Sequence, residues 1–437
     1  MNYSQILSRF KIAALNEMQK ATTQAILQPT DVILISPTGS GKTLAFLLPL
    51  VNILQKDVKE VQALILVPTR ELAQQIEQVF KTMGTEYKIN CCYGGHSMQI
   101  EKHNLQQPPA VLVGTPGRIA HHIDNKHISI DKISLLILDE FDKSLDAGFE
   151  QEMSFIIYQL KKLKQRILTS ATPLKDIPAF VGLKELKRLD FTGTHHSGKS
   201  SLILKSVRAT GVDKMDALML LIGKLGTQSK IIFCNHRDAV ERISEQLNKL
   251  KIGHGVYHGG LEQIDREKVL IKLKNGSIHL LISTDLASRG LDIPEIEAVI
   301  HYQLPTTEDV MTHRNGRTAR MNASGTTYFL LKETDHLPPF LKIKPEEELL
   351  PEKLLIPKAS DWKTLYISAG KKDKINKMDI VGMLLQKGGL LKEELGKIEV
   401  LDHSAYAAIK SNKIANTLRL IQNEKIKNKK MKFDIST

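Results

Sequence analysis

One octapeptide restricts this chain more than any other feature. Ser36-Pro37-Thr38-Gly39-Ser40-Gly41-Lys42-Thr43 stands between the apolar run Asp31–Ser36 and a second apolar run, Leu44–Leu54. A buried strand that turns through glycines straight into a helix is the entry to an α/β parallel sheet, and a Gly-Lys-Thr ending makes the turn a phosphate loop. Gly39 and Gly41 let backbone N–H groups face inward, with Thr38 and Ser40 completing the cradle. The following helix N-terminus adds positive potential. Lys42 reaches the β- and γ-phosphates, and Thr43 offers its hydroxyl to Mg2+. Downstream, Leu138-Asp139-Glu140-Phe141-Asp142 sets three carboxylates at the end of another apolar run. Asp139, at a strand tip, suits Mg2+. Glu140 is placed to orient or deprotonate an attacking water, Asp142 to bond a neighbouring loop, and Phe141 to pack. Together the two runs describe a magnesium-dependent nucleoside triphosphatase.

Short apolar segments alternate with amphipathic ones on both sides of a polar stretch. Asp31–Ser36, Ala63–Pro68, Ala110–Gly114, Leu135–Asp139 and Arg166–Thr169 read as buried parallel strands, with helices such as Glu71–Met83 between them. Thr192–Ser201 is small and polar and reads as a linker. A second series comes after it: Lys230–Asn235, Gly255–Tyr257, His279–Thr284, Ala298–Tyr302 and Thr326–Leu331. Pro345–Ser360 reads as another linker. The remainder, 361–437, gives the order βαββαβ, a ferredoxin-like α+β pattern. The expected domains are therefore 1–191, 202–344 and 361–437, joined by linkers 192–201 and 345–360.

A net charge of +13 over 437 residues favours a polyanionic partner. The excess is densest in 361–437, which holds 16 Lys and Arg against 9 Asp and Glu. Three cysteines, Cys91, Cys92 and Cys234, offer neither a disulfide framework nor metal-ligand spacing, and the pairs His121-His122 and His195-His196 add none. A reducing, cytoplasmic setting is expected. No signal-peptide pattern opens the chain, and Leu44–Leu54, broken by Pro49 and Asn52, is too short to span a membrane.

The ordered set of motifs resembles the DEAD-box RNA helicases. It comprises the phosphate loop, Pro68-Thr69-Arg70-Glu71-Leu72-Ala73, Gly94-Gly95, Thr115-Pro116-Gly117-Arg118, DEFD at 139–142 and Ser170-Ala171-Thr172. It continues with Ile232-Phe233-Cys234-Asn235, Gln263 with Arg266, Ser283-Thr284-Asp285, Ser288-Arg289-Gly290-Leu291-Asp292 and the run His313 to Arg320. The resemblance implies two tandem RecA-like domains, with ATP and Mg2+ as cofactors. It implies that Gln19 reads adenine, with Gln24 a weaker competitor, and that Asp292 meets the ribose. Arg317 and Arg320 are implied arginine fingers; Asp142, Ser170, Thr172 and His313 couple hydrolysis to RNA. RNA backbone contacts would come from Arg70, Gly95, Thr115, Gly117, Arg118, Gln263, Arg266 and Thr284, which position a strand without reading its sequence. The chain departs from the pattern at Phe141, where the family name has alanine, at Ala319, and around the adenine site, where Ile12, Asn16 and Glu17 replace more usual residues.

The tail resembles the RNA-binding domain of the DbpA-type helicases, an RRM-like fold. The resemblance rests on Thr364–Lys374, Gly396-Lys397-Ile398, Ala405–Ile409 and Lys425–Lys430. Tyr366 and Tyr406 would stack on bases or else belong to the core, while Lys371, Lys372 and Lys374 suit phosphates. The chain is therefore expected to be an ATP-dependent RNA helicase that locally unwinds duplexes, acting as a monomer on large-subunit ribosomal RNA during ribosome assembly. An ATP-gated RNA clamp or annealing chaperone and a DNA helicase are the rival readings.

Overall fold

The computed structural model describes residues 3–37, 39–95, 98–173, 176–192, 202–209, 213–288, 293–294, 296–318, 325–427 and 429–436. Thr38, Asp292 and Arg320, and most of the 192–201 linker, lie outside these residues. The chain divides into two units, one ending near residue 198 and the other continuing from 199 to the C-terminus.

The first unit is built on a seven-stranded parallel sheet: β1 (Asp31–Ile35), β2 (Ala63–Leu66), β3 (Ile89–Cys92), β4 (Val111–Gly114), β5 (Leu135–Leu138), β6 (Gln165–Ser170) and β7 (Leu186–Asp190). Their order is β3-β4-β2-β5-β6-β1-β7. Helices α1 (Tyr3–Arg9), α2 (Glu17–Ile26), α3 (Lys42–Ile53), α4 (Arg70–Met83), α5 (Met98–Leu105), α6 (Pro116–Asp124), α7 (Phe141–Asp146) and α8 (Glu150–Gln159) connect them. The inner strands are buried along their whole length, because helices cover both faces. Register sets the site: Ile35 of β1 pairs with Ser170 of β6, and Leu138 of β5 pairs with Leu168 of β6. The loops leaving β1, β5 and β6 therefore emerge side by side at one sheet edge, where ligands bind in open α/β sheets.

The second unit contains β8 (Leu202–Arg208), α9 (Met215–Leu225), β9 (Lys230–Phe233), α10 (Arg237–Lys249), β10 (Gly255–Tyr257), α11 (Gln263–Lys274), β11 (Leu280–Ser283), β12 (Ala298–His301), α12 (Glu308–Asn315), β13 (Gly325–Leu331) and β14 (Glu346–Glu347). Its parallel sheet runs β10-β11-β9-β12-β13-β8-β14. The same unit carries β15 (Trp362–Ile367), α13 (Lys377–Gln386), β16 (Leu395–Val400), β17 (Ala405–Lys410), α14 (Ile414–Ile421), the short hairpin β18 (Lys425–Ile426) and β19 (Lys429–Lys430), and β20 (Phe433–Ile435). Strands β16-β17-β15-β20 form an antiparallel sheet, the ferredoxin-like order expected for the tail.

The segment 345–360 is less free than a linker. Its β14 extends the second sheet beside β8, and Glu348 pairs with both Lys205 and Lys224. Further along, a Cβ added to Gly223 would lie 2.3 Å from the Leu355 carbonyl, so this stretch runs directly over α9.

Candidate nucleotide and RNA sites

The phosphate loop has the backbone that its glycines permit. Gly39 and Gly41 adopt φ of 82° and 89°, a region closed to most residues. Helix α3 begins at Lys42 without a side-chain cap, leaving its first N–H groups for a ligand. The buried hydroxyls of Ser36 and Ser40 have no hydrogen-bond partner among the described residues. Lys42 Nζ donates to the carbonyls of Ser36 (2.5 Å) and Pro37 (3.0 Å), within the loop itself.

Gln19 and not Gln24 faces this loop. Asn16 and Gln19 form a reciprocal cap on α2, Gln19 N to Asn16 Oδ1 at 2.8 Å and Asn16 N to Gln19 Oε1 at 3.1 Å. Gln19 Nε2 then donates to Gly41 O at 3.4 Å, and Asn16 Nδ2 to Ser40 O at 3.1 Å. A Cβ on Gly41 would sit 2.5 Å from Gln19 Nε2, so the contact also requires glycine. Gln24 is exposed. Asn16, a departure from the family pattern, thus supplies a loop contact of its own.

Asp139 is buried at the tip of β5 and accepts from the Thr169 hydroxyl. Burial raises its carboxyl pKa, opposed by Thr169 and by the nearby charge of Lys42. The Asp139 carboxylate, close enough to feel the Lys42 charge, the hydroxyl that Thr43 carries next to Lys42, and the unpartnered Ser36 and Ser40 hydroxyls are oxygen donors whose chemistry fits Mg2+ and phosphate. Glu140 comes next, in the left-handed region (φ 49°, ψ 51°), held by its N–H to Thr169 Oγ1 at 3.2 Å. Phe141 is fully buried among Leu138, Met153 and Leu168, a packing residue. Asp142 accepts from the Thr172 hydroxyl at 3.2 Å, and Ser170 Oγ donates to Thr172 O at 2.6 Å. The carboxylate run and the Ser-Ala-Thr run are thereby one hydrogen-bonded network. Thr169, which ties Asp139 to Glu140, carries no motif signal in the sequence.

A second cluster lies on the same unit. Gly95 has φ 92°, and a Cβ there would come within 2.3 Å of Arg70 Nη1. Glu101, 5% exposed, receives the Tyr93 N–H (3.1 Å), Arg118 Nη1 (3.0 Å) and His122 Nε2 (2.8 Å). Thr115 stands at the N-cap of α6, and Gly117 has open space where a side chain would be. One carboxylate therefore joins the Gly94-Gly95 turn to the Thr115–Arg118 turn. Neither Glu101 nor His122 belongs to a motif that sequence reasoning could find. Cys92, Glu101 and His122 also bring their ligand atoms within 4.8 Å, but the Arg118 cation shares that carboxylate and burial pushes the Cys92 thiol well up, so the grouping serves a hydrogen-bond network.

In the second unit, Arg314 is the centre of the His313–Thr318 run. It is fully buried, and donates to Asp285 (Nε to Oδ1 2.5 Å, Nη2 to Oδ2 3.1 Å), to Asn235 Oδ1 (2.7 Å) and to Gln303 O (2.8 Å). The family resemblance implies roles for Arg317 and His313; both are buried, at 2% and 3% exposure, and Arg314 ties their run to the residues just past β9 and β11. Gln263 and Arg266 lie on the first turn of α11, with Gln263 Nε2 donating to Glu267 Oε1 at 3.0 Å. Thr284 stands just past the end of β11.

The tail separates its expected contacts. Lys371, Lys372 and Lys374 are carried on one loop, with Lys371 and Lys372 exposed and Lys374 at its left-handed end. The β18–β19 hairpin joins them: Lys427 Nζ donates to Lys374 O at 2.9 Å and pairs with Asp379, and Lys429 Nζ donates to Asp373 O at 3.3 Å. Tyr366 and Tyr406 pair across β15 and β17 with ring centroids 5.5 Å apart. Tyr406 is only 2% exposed, so of the two readings open to it the base platform fails; its face of the sheet is covered.

Three family models match consecutive stretches of the chain: DEAD/DEAH box helicase over 16–180, helicase conserved C-terminal domain over 213–322, and DbpA RNA binding domain over 364–435. The ATP-dependent RNA helicase DbpA of Bacillus subtilis (strain 168) is 30% identical over 458 residues, covering 96% of this chain and 94% of that protein. The ATP-dependent rRNA helicase rrp3 of Botryotinia fuckeliana is 33% identical, covering 75% and 68%. The structure of S. cerevisiae Dbp5 bound to RNA and ADP BeF3 superposes with a TM-score of 0.68 at 26% identity, over 76% of this chain and 88% of that one. With the phosphate loop, the DEFD–Ser-Ala-Thr network and the buried arginine run in their expected order, the chain belongs to the DEAD-box ATP-dependent RNA helicases, in the group that carries a DbpA RNA-binding domain, and is an ATP hydrolase.

Proposed function

We propose that this helicase acts on large-subunit ribosomal RNA during ribosome assembly, as a monomer in the cytoplasm, unwinding short duplexes locally. The observation that carries the reading is the joining of the 371–374 loop and the 425–430 hairpin into one lysine surface. Such a surface suits the phosphates of a folded RNA and supplies an address that a sequence-tolerant core lacks. The relative named an rRNA helicase supports a ribosomal RNA target.

At the nucleotide site, Lys42 exchanges the carbonyls of Ser36 and Pro37 for phosphate oxygens. Thr43 and Asp139 would hold Mg2+, which would supply charge neutralisation at the phosphates. Glu140 orients the attacking water, and Gln19 lies where adenine contact is expected. On the first unit the Asp142–Thr172–Ser170 network couples that chemistry to RNA met by Arg70, Gly95, Thr115, Gly117 and Arg118; on the second unit Gln263, Arg266 and Thr284 are further RNA contacts.

The test is crosslinking of RNA to the protein in cells, comparing the wild type with a Lys371→Glu, Lys372→Glu, Lys374→Glu variant. Enrichment of one large-subunit segment, lost in the variant while ATPase on an unstructured RNA persists, supports the reading. Crosslinks spread evenly over cellular RNA in both proteins refute it.

A further inference from the structure

In an antiparallel sheet with helices on one side, successive residues face opposite ways. In β15 and β17 the core face is Leu365, Ile367, Ala405, Ala407 and Ile409. The alternate residues Thr364, Tyr406 and Ala408 belong to the other face, and they are buried as well, at 1%, 2% and 0% exposure. Residues of the second parallel-sheet domain lie against this face.

The contacts are specific. Asn275 Nδ2 donates to Thr364 Oγ1 at 2.9 Å, and the Ser277 and Thr364 hydroxyls are 2.7 Å apart. Ser360 Oγ donates to Gly276 O at 2.6 Å, and Lys397 Nζ to Lys274 O at 3.0 Å. All four engage the C-terminal end of α11 and the turn after it. Burial raises the Tyr406 phenol, opposed by its hydrogen bond with Ser404 and helped by the nearby charges of Tyr366, Glu267 and Asp265. Residues 266–270 of α11 are all part-buried, as for a helix covered on more than one side. Glu267 is also the acceptor of the Gln263 amide.

We propose that the tyrosine face of the third domain is a brace for α11: it holds the helix in place, and with it Glu267, which fixes the amide of Gln263 for RNA. Tyr406 is then a positioning residue, not a base-stacking one. The inference rests on the reading of Gln263 as an RNA contact. It means that the tail raises the core's hold on any RNA strand, besides bringing the core to its target.

The test measures ATPase of the full chain against a short single-stranded oligouridylate, which has no fold for the lysine surface to select. Gln263→Ala is expected to raise KM for the RNA several-fold. Tyr406→Ala is expected to raise it several-fold as well, with kcat at saturation kept, while Tyr406→Phe, which keeps the ring, restores the wild-type KM. Thr364→Val, nearly isosteric, removes two hydrogen bonds to the α11 corner without a cavity and is expected to shift KM in the same direction. The Tyr406→Ala, Gln263→Ala double variant is expected to be no worse than Gln263→Ala alone, because the brace acts only through that amide. If Gln263→Ala leaves KM unchanged, the reading of the RNA site fails and the brace has nothing to position. If Gln263→Ala raises KM but the Tyr406 effect multiplies with it, or if neither Tyr406→Ala nor Thr364→Val has any effect, the brace is overturned while the RNA site stands.

Discussion

Glu101 Oε2 lies 3.0 Å from Arg118 Nη1, and the other carboxylate oxygen accepts the Tyr93 N–H at 3.1 Å. The two turns proposed above as RNA contacts are thus joined by one buried side chain. Glu101→Gln keeps the shape but removes the charge that fixes the guanidinium. A buried charged hydrogen bond of this kind is worth about 1.5–3 kcal/mol. The expected outcome is a roughly tenfold rise in KM for RNA with little change in kcat at saturating RNA. An ATPase titration with RNA checks it; an unchanged KM would show that Arg118 is held by other means.

Glu140 occupies the left-handed region without being glycine. That conformation costs on the order of 1–2 kcal/mol for an L residue. Two substitutions separate the strain from the chemistry. Glu140→Gln retains the strain and loses the base, and should lower hydrolysis by about 10²–10⁴-fold with ATP still bound. Glu140→Gly should be as inactive, yet unfold at a temperature no lower than Glu140→Gln. Turnover and thermal melts of the two variants, with Lys42→Ala as the nucleotide-binding control, decide the matter. A Glu140→Gly protein that melts well below Glu140→Gln would mean that the side chain, not the backbone, dominates the local energetics.

The Asp142–Thr172 hydrogen bond joins the loop after β5 to the loop after β6. Thr172→Val removes the donor at nearly constant volume and leaves Asp142 buried with one bond fewer. Basal hydrolysis should survive within a few-fold, because Lys42, Asp139 and Glu140 are untouched. Stimulation by RNA and strand separation should fall together. An unwinding assay beside an ATPase assay, both with and without RNA, tests this; a variant that unwinds normally would remove the bond from the coupling path.

Legibility in the sequence depended on whether a residue's partners are its neighbours in the chain. Strands β1, β2, β4, β5 and β6 are covered on both faces, so their composition is largely apolar and they read directly. Strands β7 and β8 are edge or near-edge strands with exposed positions, and Lys187, Arg188 and Lys205 break any apolar run. The phosphate loop and DEFD are contiguous, so their chemistry is spelled out in order. Glu101 with Arg118, and Arg314 with Asp285 and Asn235, are partners only after the sheets close, and no local pattern announces them. Tyr406 was ambiguous for another reason. An aromatic at that strand position is compatible with a base platform, and only the neighbouring domain decides that the face is covered.

His301 gives the fold a titration of its own. Its ring is stacked 4.9 Å from Phe329, Nε2 donates to Asn315 Oδ1 at 3.1 Å, and Arg314 Nη1 approaches Nδ1 at 3.4 Å. Burial, and then the Arg314 cation, lower its pKa to about 3. The unfolded chain takes up this proton near pH 6.5, the ordinary imidazole value, while the folded protein does not until about pH 3. Between those values the unfolded state binds more protons, so stability falls as pH falls, by up to about 1.4 kcal/mol per pH unit from this group. Above pH 6.5 the contribution is complete. His301→Gln keeps a donor for Asn315 and has no such titration. It should be less stable at about pH 7, through lost stacking, but its stability should fall less steeply between about pH 6.5 and pH 4. Denaturant unfolding at a series of pH values reads the difference in slope. Parallel curves for the two proteins would mean that His301 is protonated in the folded state and that the Arg314 network tolerates a second buried cation.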